Sequence, residues 1–240
     1  MKTITIATTA WMLIPAFAPA LTPFSDGFNT NTLNPVRWQV SQFHNAKLRV
    51  GQQRVNFFIY PAFHPDEDYG YLELLNNQPG INENWQVTLT INNTSGQGDR
   101  IGAGFWIHNA DDPSDVIFYE FYGNAGKRAR KCAAACFVLN GTTMAQKINH
   151  HAAKLTAAKL RIVYAANTKL FTFRIAPAVP AARWRTLGTF SPTGIGGDVR
   201  ANWNLNPGSG RFGIRLEAYG EQRLLDGGKV FMDNFVLSAP

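Results

Sequence analysis

KLRIVYAANTKLFTFRI, residues Lys159 to Ile175, describes two strands and the turn between them. Leu160, Ile162 and Tyr164 alternate with Arg161 and Val163, and Phe171, Phe173 and Ile175 alternate with Thr172 and Arg174. A period of two puts one set of side chains on each side of an extended chain, so each segment offers an apolar face to a core and a wet face to solvent. Between them, Ala165 to Lys169 with its central Asn167 predicts a hairpin turn.

The same pattern recurs in both directions. Trp85, Val87, Leu89 and Ile91 alternate with Gln86, Thr88 and Thr90, and Val55 to Tyr60, Gly102 to His108, Val116 to Tyr122, Arg211 to Tyr219 and Val230 to Leu237 are further strand candidates. At least eight short strands bounded by Gly, Pro, Asn and Asp predict an all-β, two-sheet antiparallel β-sandwich. His150 to Lys159, rich in Ala, Lys and Leu, reads equally as a short helix or a connector. Gly194, Gly196 and Gly197 lie in a Pro-containing loop without the strand-to-helix setting of a phosphate-binding turn, and no G-x-S-x-G elbow is present.

Residues 1–20 read as a secretory signal peptide: Lys2, an apolar run from Ile4 to Ile14, then small residues ending Ala18-Pro19-Ala20, with cleavage expected after Ala20. That run is too short to cross a bilayer core. Residues 21–240 then form one domain, secreted to an extracellular or periplasmic space. Losing the leader removes one lysine and no acid, leaving 22 basic against 16 acidic residues, +6 in place of +7. In an exported chain that balance suits acidic polysaccharide or an envelope surface better than nucleic acid.

Lys127, Arg128, Arg130 and Lys131 form a basic run, read as a solvated loop tip or a polyanion contact. It leads into Cys132, and Cys132 and Cys136 are the two cysteines. In an oxidising compartment they are expected to form a local disulfide, provided the intervening alanines turn back. A zinc site adding His150 and His151 is disfavoured, because adjacent strand residues point to opposite faces.

Phe24, Asp26, Phe28, Leu33, Pro35 and Trp38 follow a D-x-F-x(4)-L-x-P-x-x-W pattern, and Lys229 to Leu237 (KVFMDNFVL) embeds an Asp-Asn pair between apolar residues. These ends resemble the opening and closing strands of the concanavalin A-like (lectin/glucanase, LamG-like) superfamily of bacterial secreted domains. Gly104 to Ile107, Lys159 to Ile162 and Trp184 to Phe190 fall in the matching order. The resemblance implies a jelly roll with first and last strands adjacent, a concave face that receives a glycan, and a structural calcium near the joined ends. Asp233 would then be a side-chain ligand, with Asp26 helping.

Parity locates a candidate binding face. If Ile214, Leu216 and Ala218 line the core, Arg215, Glu217 and Tyr219 face away from it. Trp106 and His108 share a face, as do Phe118, Glu120 and Tyr122; rings cover pyranose faces while charged groups bind hydroxyls. Retaining glycosidases of this fold carry E-x-D-x-E on one strand. The nearest stretch here, Asp115 to Glu120, has Ile117 in the middle acidic position. Glu120 and Glu217 on different strands remain as a candidate catalytic pair, with Arg215 and His108 nearby, and a uronate lyase using His108, Arg215 and Tyr219 is a second arrangement. The expectation is a secreted domain holding a poly- or oligosaccharide, an acidic one included, through Trp106, His108, Tyr122, Arg215 and Tyr219. A divergent glycoside hydrolase or polysaccharide lyase, and an extracellular adhesion domain, are the alternatives.

Overall fold

A computed structural model describes residues 21–60, 67–95, 101–123, 132–151, 155–205, 210–220 and 225–240. The predicted leader and the basic run at 127–131 lie outside these residues. The described chain is all strand and connection: β1 (Phe24–Asp26), β2 (Trp38–Phe43), β3 (Ala46–Gly51), β4 (Arg54–Ile59), β5 (Asp68–Leu74), β6 (Trp85–Asn93), β7 (Gly102–Asn109), β8 (Asp112–Tyr122), β9 (Cys132–Leu139), β10 (Thr142–His151), β11 (Ala157–Ala165), β12 (Leu170–Pro177), β13 (Arg185–Ser191), β14 (Val199–Arg200), β15 (Phe212–Gly220) and β16 (Leu225–Ser238). His150 to Lys159 makes no described helix: it ends β10 and opens β11.

Two sheets stack. One has nine strands in the order β14-β13-β12-β11-β6-β16-β4-β3 with β1 added to β16, and the other seven in the order β10-β9-β8-β7-β15-β5-β2. Pairings are antiparallel apart from β13 with β14. The hairpin expected at 165–169 joins β11 to β12 with Leu160 opposite Ile175 and Ile162 opposite Phe173. β1 lies against β16, Phe24 opposite Leu237, so the two ends of the described chain meet in one sheet.

Aromatic side chains bridge the layers. Phe137 of β9 stacks on Phe190 of β13 at 4.4 Å, Tyr119 of β8 meets the edge of Phe173 of β12 at 5.2 Å, and Trp38 of β2 meets Phe235 of β16 at 5.1 Å. Most of these rings are fully buried. Each contributes roughly 1.5–3 kcal/mol through removal of apolar surface from water. The opening motif is explained by this packing. The Asp26 carboxylate accepts from the Phe28 backbone amide (2.8 Å) and from Trp38 Nε1 (2.9 Å), pinning the chain where the Trp38 ring enters the core.

One expectation needs correction. Cys132 and Cys136 are free thiols on one extended strand, β9. Four residues of rise separate their Cα atoms by about 13 Å, against the 4.4–6.8 Å a disulfide tolerates. The alanines do not turn back, because they pair in register with Phe121 to Tyr119 of β8. The two acids named as calcium ligands each have protein partners. Asp26 sits opposite the buried Phe235, on the core side, whereas Asp233 sits beside Thr90 on the outward side, its two oxygens accepting from the Asn234 backbone amide and Nδ2. No group of three or more His, Cys, Asp or Glu that could hold an ion is found among the described residues.

Candidate functional site

The outward face of the seven-stranded sheet can be laid out rung by rung from its register. Across β5, β15, β7 and β8, one rung reads Tyr69, Tyr219, Gly102, Tyr122. The next reads Tyr71, Glu217, Gly104, Glu120, and a third Glu73, Arg215, Trp106, Phe118. His108 faces outward beyond Trp106, between Gly213 and Val116. The face therefore brings together all seven binding and catalytic candidates read from the sequence. It adds Glu73, Tyr71 and Tyr69 from β5 and the two glycines of β7, which the sequence reading did not single out.

Those glycines shape the face. Gly102 and Gly104 put no side chain on the middle strand, so groups from β15 and β8 meet above it. A Cβ on Gly104 would fall 2.1 Å from the Tyr119 carbonyl oxygen and 2.7 Å from Glu120 Cα, so β8 can approach this closely only against glycine. Above Gly104, Glu217 and Glu120 hydrogen-bond to each other. Over Gly102, the rings of Tyr122 and Tyr219 meet edge to face at 6.0 Å and their hydroxyls hydrogen-bond. The Tyr122 hydroxyl also donates to Glu120.

Burial sets the protonation of this group. Glu120 and Glu217 are 2% and 5% exposed. Desolvation pushes Glu120 up to about 7, moderated by its bonds to Tyr122 and Glu217. Glu217 rises well above the usual carboxylate range through burial, the adjacent charge of Glu120 and its bond to Glu120. Two carboxyls in contact cannot both ionise cheaply, so near neutral pH the pair keeps a proton, on Glu217.

One rung away the charges are neutralised differently. The Arg215 guanidinium lies 3.2 Å from Glu73 and is layered between Tyr71 (4.4 Å) and Trp106 (4.6 Å). His108 is 3.9 Å from the same Glu73. Burial and the Arg215 charge hold the imidazole down to about 4, so it is neutral and the contact with Glu73 is no ion pair at pH 7.

A cavity of about 490 Å³ opens over the acidic end, lined by Glu120, Glu217, Tyr122, Tyr219, Trp106 and Phe118 among others. Arg215 and His108 do not line it; they sit behind Trp106 with Glu73. Buried polar atoms lacking a hydrogen bond are few in native proteins. Among the described residues ten side-chain atoms are in that state, and five of them (Trp106 Nε1, His108 Nδ1, Arg215 Nε and the Oε1 atoms of Glu120 and Glu217) lie on this face. The two-carboxylate glycosidase chemistries need acids 5–5.5 Å or 6.5–9.5 Å apart, the wider gap to admit a water. Carboxyls in direct hydrogen-bonding contact meet neither requirement.

Such a fold, two stacked sheets with joined ends and a polar, ring-lined outer face, is that of the concanavalin A-like sandwiches. Solved structures agree. A Bacteroides ovatus protein described as "Xyloglucan PUL GH43B" superposes with a TM-score of 0.60 at 12% identity over 98% of this chain, which spans 41% of that protein's length. Lectin UEA-II complexed with galactose superposes with a TM-score of 0.56 at 11% identity, covering 90% of this chain and 98% of its own. The potassium-bound carbohydrate recognition domain of Emp46p gives 0.50 at 13% identity, covering 84% and 88%. No family model matches the chain, and no curated relative matches it in sequence.

Proposed function

We propose that this chain is an exported domain that holds a poly- or oligosaccharide in the cavity over Gly102 and Gly104, without cleaving it. The observation that carries this reading is the convergence of Trp106, Tyr122 and Tyr219 rings with a protonated carboxyl pair whose Oε1 atoms lack partners. Rings supply apolar walls for a pyranose face, and a neutral acid beside a carboxylate both donates to and accepts from sugar hydroxyls. The lectin neighbours, one of them complexed with galactose, support the sugar class. Contact between Glu120 and Glu217 argues for holding over hydrolysis.

A glycan array followed by calorimetric titration tests this. The expected result is saturable binding of a neutral glycan with no reducing ends released and no unsaturated product. Trp106→Ala should weaken binding roughly tenfold or more, the loss of a buried aromatic contact of about 1.5 kcal/mol. Absence of affinity for every neutral and acidic glycan would overturn the proposal, as would turnover abolished by Glu120→Gln.

A further inference from the structure

The opposite face of the sandwich carries a second arrangement that the cavity does not use. Arg161 of β11 and Arg174 of β12 stand directly across from each other, both on the outward side of the nine-stranded sheet. Their neighbours in sequence, Leu160, Ile162, Phe173 and Ile175, point into the core. Like charges facing each other on adjacent strands are destabilising. Sandwich sheets ordinarily avoid this by placing a carboxylate or a neutral residue opposite. Here no carboxylate among the described residues lies within ion-pair distance of either guanidinium.

What surrounds the pair is polar or aromatic. Arg161 donates through Nε to Thr88 Oγ1 at 3.1 Å and lies 4.0 Å over the ring of Trp184. Arg174 sits next to Thr186 across β13, and its Nε is buried with no partner. Burial and the neighbouring Arg174 charge both lower the Arg161 pKa, which is the mark of a positive site the protein itself leaves uncompensated. Lys159 is on the same face one outward position along β11, beside Thr90; beyond Thr90 comes Asp233, which meets the charge of Arg54.

A guanidinium presents paired N–H donors that match the oxygens of a planar carboxylate or a sulfate. We propose that Arg161 and Arg174, walled by Trp184, form a second binding site that takes the carboxylate or sulfate groups of an acidic polysaccharide. The occupant is a saccharide because an indole ring adjoins the anion position, and a polymer because Lys159, two residues from Arg161 on the same face, offers a cation to a second anionic residue. This site is separate from the cavity on the other sheet and stands whether or not that cavity binds sugar.

The test uses residues 21–240 and measures binding to dextran sulfate and polygalacturonate, with neutral dextran as the reference. Arg161→Gln with Arg174→Gln should weaken binding to both charged polymers roughly tenfold for each guanidinium. Arg37→Gln with Arg211→Gln, removing the same charge from exposed positions elsewhere, should change it less than about twofold. Trp184→Ala should weaken polygalacturonate binding while leaving retention by inorganic sulfate unchanged. Arg174→Gln alone should raise the melting temperature of the free protein, which a purely structural role would not do. Glu120→Gln with Glu217→Gln should leave polyanion binding intact, separating this site from the cavity. Equal losses in the two double-arginine variants, or a lower melting temperature for Arg174→Gln with binding unchanged, would overturn the proposal.

Discussion

Two neighbouring rungs of one sheet solve the same electrostatic problem in opposite ways. Glu217 and Arg215 are two residues apart on β15 and share its outward side. Across β5, Arg215 faces Glu73, so a guanidinium meets a carboxylate in a salt bridge. Glu217 has Tyr71 on that side and, beyond Gly104, Glu120 on the other, so an acid meets an acid and a proton has to be kept. The register partner decides the charge state, and a shift of two residues exchanges a salt bridge for a hydrogen-bonded carboxyl pair. Both ends keep buried polar atoms without hydrogen-bond partners, Arg215 Nε and His108 Nδ1 at one and the Oε1 atoms of Glu120 and Glu217 at the other, but only the acids line the cavity.

The largest effect on this contrast is expected at the glycine between the acids. Gly104→Ala forces a Cβ against the β8 backbone at 2.1 Å and should destabilise the protein by about 3 kcal/mol, the upper range for overpacking. Denaturant melts read that loss directly, and a neutral outcome would mean that β7 and β8 are not this close. Next comes Arg215→Met, which keeps the stem between Tyr71 and Trp106 but strands the Glu73 carboxylate. For a pair 15% and 21% exposed, a cost of about 2 kcal/mol is expected, below the fully buried range because water reaches both partners.

The pH dependence separates the two ends more finely. For the acid pair, folded pKa values stand above the unfolded range, so the stability contribution is complete below about 4.5 and is lost as pH rises through about 7. For His108, the folded pKa is depressed to about 4, so stability is complete above about 6.5 and is lost as pH falls toward 4. The two slopes oppose each other between pH 4.5 and 6.5. Glu120→Gln with Glu217→Gln should therefore leave a protein whose melting temperature climbs with pH over that window. His108→Asn should leave one whose melting temperature falls from pH 4.5 to 7. Thermal scans in a constant-ionic-strength buffer series check both; parallel profiles for wild type and variants would break the contrast. The smallest expected effect is on the thiols. Cys132→Ser should change neither mobility on a non-reducing gel nor the melting temperature by more than about 2 °C, and two thiols should titrate in denaturant without reductant.

Much of the binding face was readable because β15, β7 and β8 alternate cleanly. Once Ile214, Leu216 and Ala218 are assigned to the core, Arg215, Glu217 and Tyr219 must share the other side. That Glu120 and Glu217 share a face was readable, but their direct contact was not. It depends on two registers at once and on the empty position at Gly104, and pattern within a strand carries neither. Glu73 was missed although Tyr69, Tyr71 and Glu73 alternate with Gly70, Leu72 and Leu74, because Gly70 interrupts the apolar row. β9 was misread because Ala133, Ala134 and Ala135 are equally small on both faces, which erases the alternation and let a turn seem open to the cysteines. For Asp26 the motif is visible in the sequence while its partners, the Phe28 amide and the Trp38 indole, are not. In each case local periodicity survives in the sequence and cross-strand pairing does not.

A titration of glutamate side-chain carboxyl carbons by NMR, with Glu120→Gln and Glu217→Gln used for assignment, tests the heart of this account. It predicts one carboxyl titrating near pH 7 and a second that stays protonated beyond it, with each single substitution shifting the survivor. Two independent titrations near pH 4.5, unaffected by loss of the partner, would show that the acids do not meet over Gly104 and would contradict it.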